Sequence, residues 1–136
     1  KFADIKVPWK MHGRDLTPLL KQPEKKRKRD ALVVHTGRHY GSDTDRVPTD
    51  SETLLQVAGV PWHASLHDGR YKYIRTFVAD EIEELYDLDS DPEELTNLAL
   101  SEGEQKRLSA MRQRTVSRLR RADAKFADQL PPVGTR

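Results

Sequence analysis

Apolar and polar residues alternate most clearly between Trp62 and Val78, where WHASLHD and RYKYIRTFV flank Asp68-Gly69. A period of two marks half-buried strands, and Asp-Gly is a dipeptide favoured by two-residue hairpin turns. With Asp68 and Gly69 as the loop, Leu66 is predicted opposite Tyr71 and Ala64 opposite Tyr73, while His67, Ser65 and His63 oppose Arg70, Lys72 and Ile74. One face is then apolar and aromatic and the other mostly polar, as in an antiparallel sheet covered on one side. His63 and His67 fall on the polar face, where a solvated histidine is favoured over a ligand.

Two further strands extend this hairpin. ELYDLDSDPEELTNLA, Glu84–Ala99, opens with a short strand from Glu84 to Leu88 and then meets Pro92, whose ring stops a strand and suits a first helical turn. Asp91 is placed to cap that turn, and Glu93 and Glu94 suit the positive end of a short helix. Ala31-Leu32-Val33-Val34 reads as the core of a fourth strand ending at His35. Ser101-Glu102-Gly103-Glu104 has the S-x-x-E pattern of a capping box, followed by Leu108, Met111, Thr115, Leu119, Ala122 and Phe126 at near-helical spacing, with Pro131-Pro132 as the stop. The predicted class is α+β: a small antiparallel sheet of about four strands with a C-terminal helix packed on one face.

The remaining segments carry less pattern and more chemistry. Asp15 or Thr17 can cap a short helix through Pro18, Leu19, Leu20 and Lys21, and Asp50 or Ser51 another that carries Leu54, Leu55 and Val57 and closes at Gly59. Lys25-Lys26-Arg27-Lys28-Arg29 is a basic run that reads first as a solvated loop and second as a phosphate-binding or localisation segment. After His35 the chain continues Thr36-Gly37-Arg38-His39-Tyr40-Gly41-Ser42-Asp43. By residues alone this is a polar surface loop before it is a site. Arg38 nonetheless suits a sulfate or carboxylate through its fork, and His39, Tyr40 and His35 can add hydrogen bonds. Two histidines and one aspartate fix no metal geometry.

Composition narrows the functional classes. The 136 residues suit one modest domain, and Lys+Arg 24 against Asp+Glu 22 nearly cancel, so net charge makes no case for nucleic acid. The absence of cysteine removes disulfides, Cys-ligated zinc and thiol catalysis together. No apolar run approaches a membrane span, and the first residues show no basic-then-apolar signal pattern. Lys1-Phe2-Ala3-Asp4-Ile5 reads as the close of a helix whose earlier part is elsewhere, so residues 1–136 are expected to be one subdomain cut from a longer chain.

Three stretches in order give the chain a resemblance. VPWKMHGRDLTPLL, Val7–Leu20, looks like the sulfatase segment of the type G-x-S-L-x-P-L-L, with Asp15 in place of the usual serine. DGRYKYI, Asp68–Ile74, is similar to that family's recurrent hairpin, and Glu84–Ala99 to its ending strand and turn. KFAD, Lys1–Asp4, resembles the close of the preceding helix. Over nearly its whole length the chain therefore resembles the C-terminal subdomain of an arylsulfatase-like enzyme of the alkaline phosphatase superfamily.

That resemblance implies a parent that hydrolyses sulfate esters, or N-sulfates in some members. It also implies a formylglycine made within a C/S-x-P-x-R motif and a calcium ion, both in a catalytic domain preceding Lys1. No Cys or Ser here opens such a motif, so the chain alone is expected to be inactive. The expected partners are that catalytic domain and a sulfated substrate such as a glycan, with neither nucleic acid nor membrane. Export is common in the family. The expected role is to support the catalytic domain and line the substrate cleft, with His35, Arg38, His39 and Tyr40 positioning substrate and no catalytic or metal-binding residue in the subdomain. The acidic Asp87, Asp89 and Asp91 are read as turn and capping residues. Two alternatives stand beside this: a polyanion-binding module using Lys25–Arg29 and the basic C-terminal helix, and a purely structural piece that completes the larger fold.

Overall fold

The computed structural model describes residues 15–24, 30–36, 43–50 and 59–134. Four strands, β1 (Ala31–His35), β2 (His63–His67), β3 (Tyr71–Thr76) and β4 (Glu84–Asp87), form one sheet in the order β1-β2-β3-β4. Every neighbouring pair is antiparallel. A short helix, α1 (Thr17–Lys21), carries Pro18 in its first turn, and the Asp15 carboxylate accepts from the Thr17 amide at 2.9 Å. The long helix α2 (Gln105–Arg121) covers one face of the sheet, so the class is α+β as expected.

Period-two alternation sorts the strands into two faces. Leu32, Leu66, Tyr73 and Leu85 are successive cross-strand partners and make one apolar row across the whole sheet. Leu108 and Met111 of α2 pack on this row together with Ala99. A second cluster joins Leu119 to Trp62, Ala64, Phe77, Phe126 and Ala127. Leu108, Met111, Thr115 and Leu119 are the buried stripe of α2, and Thr115 satisfies its hydroxyl by donating to the Met111 carbonyl one turn back at 2.9 Å. Fully burying side chains such as Leu66, Leu85 or Leu119 stabilises the fold by about 1.5–3 kcal/mol each.

The hairpin register differs from the sequence expectation. Leu66 pairs with Tyr73 and Ala64 with Arg75, while His67, Ser65 and His63 pair with Lys72, Ile74 and Thr76. The two-residue loop is Gly69-Arg70, closed by the Asp68 amide donating to the Tyr71 carbonyl at 3.0 Å. Asp68 belongs to the strand end because its carboxylate accepts from the Arg70 and Tyr71 amides, leaving Gly69 to take the positive φ of 105°. The register moves by two, so every side chain keeps its face.

Three other expectations also change. No α-helix follows Pro92, because Glu94 adopts φ 59° and the chain re-forms only as a 3-10 turn over Leu98–Leu100. The Ser101 hydroxyl makes no capping bond. Instead the Gln105 side-chain amide donates to the carbonyls of Ala99 and Ser101. The C-terminal helix stops at Arg121 rather than near Pro131, since Asp123 takes the left-handed φ of 62° just beyond the Ala122 cap. Phe126 therefore reaches the core from a separate 3-10 turn, Lys125–Asp128. The tail then returns to the sheet: Arg75 donates to the Pro131 carbonyl, and the Gly134 amide to the Glu81 carbonyl at 2.8 Å. A Cβ on Gly134 would stand 2.2 Å from the Asp80 carbonyl oxygen, so only glycine permits this approach.

Candidate functional site

The candidate site begins where β1 ends. His35 is the last residue of this edge strand, and its side chain lies on the face away from α2. Its cross-strand partner is His63, and the two imidazoles stack with centroids 5.1 Å apart at an interplanar angle of 28°. The His63 Nδ1 lies 3.0 Å from the Pro61 carbonyl. A carbonyl can only accept, so Nδ1 carries the proton there. His35 Nε2 is buried and has no hydrogen-bond partner among the described residues. Arg38, His39 and Tyr40, the other expected substrate-positioning residues, lie outside the described residues, as does the basic run Lys25–Arg29. The helix expected over Leu54–Val57 lies outside them too.

The rest of this outer face mixes polar and apolar residues, from exposed Val33 to buried Tyr86. Val33, Ser65, Ile74 and Glu84 form its middle row, and Ala31, His67, Lys72 and Tyr86 its far row. Lys72 donates to both carboxylate oxygens of Glu94, and the Tyr86 hydroxyl donates to Glu84 at 2.6 Å. Burial and then the neighbouring Glu84 carboxylate push the Tyr86 phenol above its ordinary range. His67 is half-buried and, like His35, holds a buried Nε2 with no partner among the described residues. It is less solvated than expected.

The acidic stretch after β4 is scaffold. Asp87 receives a bidentate fork from Arg70 at 2.8 and 2.5 Å, which holds its carboxyl down at about 2. Asp91 accepts from the Leu95 and Thr96 amides, and so wraps the turn instead of capping a helix. The residue that pins this stretch was missed in the sequence. Asn97 accepts from the Leu85 and Ala99 amides and donates to the Glu83 carbonyl, all at 3.0 Å. Its signal is an asparagine just before an apolar Leu-Ala pair, where its side chain can cap the next turn.

A cleft of about 400 Å³ lies between α2, the tail and Leu98–Leu100, with Glu83 and Arg112 in its wall. Those two groups are already spent on each other. Arg112 donates through Nε to the buried Glu83 at 2.7 Å and through Nη2 to its second oxygen, and the Tyr73 hydroxyl donates to the same carboxylate. Burial, reinforced by Glu83, raises the Tyr73 phenol far above its ordinary range. Among the described residues no group of three or more His, Cys, Asp or Glu is placed to hold a metal ion. No helix among them is long and apolar enough to cross a membrane.

Three arginines of the basic helix face are paired with carboxylates of the chain. Arg107 pairs with Glu104 and lies over the Tyr71 ring at 4.0 Å, Arg114 forks onto Asp30, and Arg120 pairs with Asp128.

Sheet, covering helix and asparagine-pinned turn define a two-layer α+β subdomain. The chain belongs to the family described as N-sulphoglucosamine sulphohydrolase, C-terminal, which matches residues 1–122. The family match does not favour the polyanion-binding module. Among solved structures it is similar to BT4656 in complex with its substrate D-glucosamine-2-N,6-O-disulfate, with a TM-score of 0.63 and 21% sequence identity. That likeness covers 96% of this chain and 23% of that one, so the chain spans about a quarter of the neighbour's length. Comparison with curated proteins finds no match.

Proposed function

We propose that the chain is the C-terminal subdomain of an enzyme that hydrolyses sulfate from a sulfated glycan, and that the end of β1 lines its substrate cleft. The family match over residues 1–122 supports the class of enzyme. The observation that carries the cleft-lining role is the position of His35, half-buried and ring-stacked at the strand end from which residues 36–42 depart. In this reading the preceding catalytic domain holds the formylglycine and calcium that supply the covalent chemistry. The subdomain contributes orientation: Arg38 as a fork for an anionic group, with His39, Tyr40 and His35 donating to or accepting from sugar hydroxyls. Glucosamine sulfates are the first substrates to test, because the neighbour binds one.

The test is steady-state kinetics of the full-length enzyme. Arg38→Ala is expected to lose a charge-assisted contact of about 1.5–3 kcal/mol, seen as a fall in kcat/KM of about tenfold or more. Unchanged kinetics on a glucosamine N-sulfate and 6-O-sulfate would remove Arg38 from the site.

A further inference from the structure

We infer that His63 is a positioning residue, which acts on substrate recognition by fixing the ring of His35; this rests on the reading that the end of β1 faces the substrate. Three observations lead to it. Trp62, one residue earlier, is 1% exposed within the core formed with Leu119, Phe77 and Phe126, so the backbone around it is held by packing. The Pro61 carbonyl just before it accepts from His63 Nδ1 at 3.0 Å, which sets the tautomer and the ring plane. His63 then presents that fixed ring to His35 across the strand pair, at 5.1 Å between centroids. An edge-strand histidine would otherwise choose freely among its rotamers; a ring stacked on it removes most of that choice.

His67 supplies the internal contrast. It lies on the same face of the same strand, four residues on, opposite Ala31 and Lys72 and with no stacked ring among the described residues. Both positions are half-buried, so burial on this face does not separate them. What separates His63 is the carbonyl on one side and the second imidazole on the other. The sequence alone placed both histidines together on the polar face and distinguished neither.

The experiment compares three variants of the full-length enzyme on a glucosamine sulfate. His63→Ala removes both stack and hydrogen bond, and is expected to raise KM about tenfold while kcat changes little. His63→Phe keeps a ring beside His35 but loses the Pro61 hydrogen bond, and is expected to reverse part of the KM rise with kcat unchanged. His67→Ala is expected to leave KM unchanged. Selective 15N labelling of histidine adds a readout independent of turnover: His63 should show the Nδ1-protonated tautomer, and His63→Ala should shift the His35 ring resonances where His67→Ala does not. An active wild type with unchanged KM in His63→Ala, or equal effects of the two alanine variants, overturns the positioning role. A wild type that turns over no sulfated sugar overturns the functional reading itself, and the positioning role with it.

Discussion

On the face of the sheet that meets α2, Leu32, Leu66, Tyr73 and Leu85 form an unbroken apolar row sealed by Leu108 and Met111. On the opposite face the same strands present His35, His63, Ser65, His67, Lys72 and Thr76, half-buried, with two imidazole Nε2 atoms buried and without partners among the described residues. On the first face the Glu83–Arg112 and Arg70–Asp87 ion pairs lie at the rim of that row. On the second, Lys72 is held by Glu94 and His63 by the Pro61 carbonyl, while His35 and His67 keep an Nε2 without a partner among the described residues. The sealed apolar row and the more polar rows thus lie on opposite sides of one sheet, and the alternation of side chains is what keeps them apart.

The largest expected effect comes from opening the sealed face. Leu66 is fully buried at the centre of the apolar row, so Leu66→Ala should destabilise the chain by about 2–5 kcal/mol through lost transfer energy and the cavity left behind. Ser65→Ala, one residue away on the other face, should stay within about 0.5 kcal/mol. Urea denaturation of both variants measures the difference. Equal losses would mean that the two faces are energetically alike.

That division was legible in the alternation of residues 62–78, because period two survives any even error in register. The pairing itself was not, since Asp68 is drawn into the strand end by two amides its own carboxylate accepts. The missing helix after Pro92 has a similar cause. Local preference favoured a helix there, but Asn97 ties the chain to the β4 backbone and Lys72 holds Glu94, contacts that a linear reading does not contain. For the candidate site, His35 was legible as the polar end of an apolar strand. His63 was not, because its neighbour is 28 residues away in sequence and becomes one only through the β1–β2 register that pairs His35 with His63.

A smaller effect is expected at the rim of the sealed face, where Glu83 and Arg112 are paired. The Glu83 side chain is 4% exposed and that of Arg112 36%, so the two partners are not equivalent. Arg112→Ala leaves a buried carboxylate with the Tyr73 hydroxyl but without its cation, and should cost about 3 kcal/mol, the lower end for breaking a buried pair. Replacing both residues by Met and Leu should recover much of the loss, since a well-packed apolar pair needs no desolvation of charge. A double variant as unstable as the single one would show that the ion pair, and not merely its completeness, supports this edge.

The smallest effect, and the one that tests whether the rim is electrostatic at all, lies at Arg70 and Asp87. The Arg70 fork holds the Asp87 carboxyl at about 2, below the ordinary 3.8. A depressed carboxylate pKa means that the unfolded chain binds the proton first, so the pair's contribution is fully present above about pH 4 and is lost as the pH falls toward 2. Acid titration of the folded fraction should therefore steepen in that window. Arg70→Ala should flatten the same window while leaving the profile near neutrality parallel to wild type. Arg70 is half exposed, and salt should weaken the effect in the wild type but not in the variant. A wild-type acid profile that salt does not alter would assign this edge to packing, and extend the rule of the sealed face to its rim.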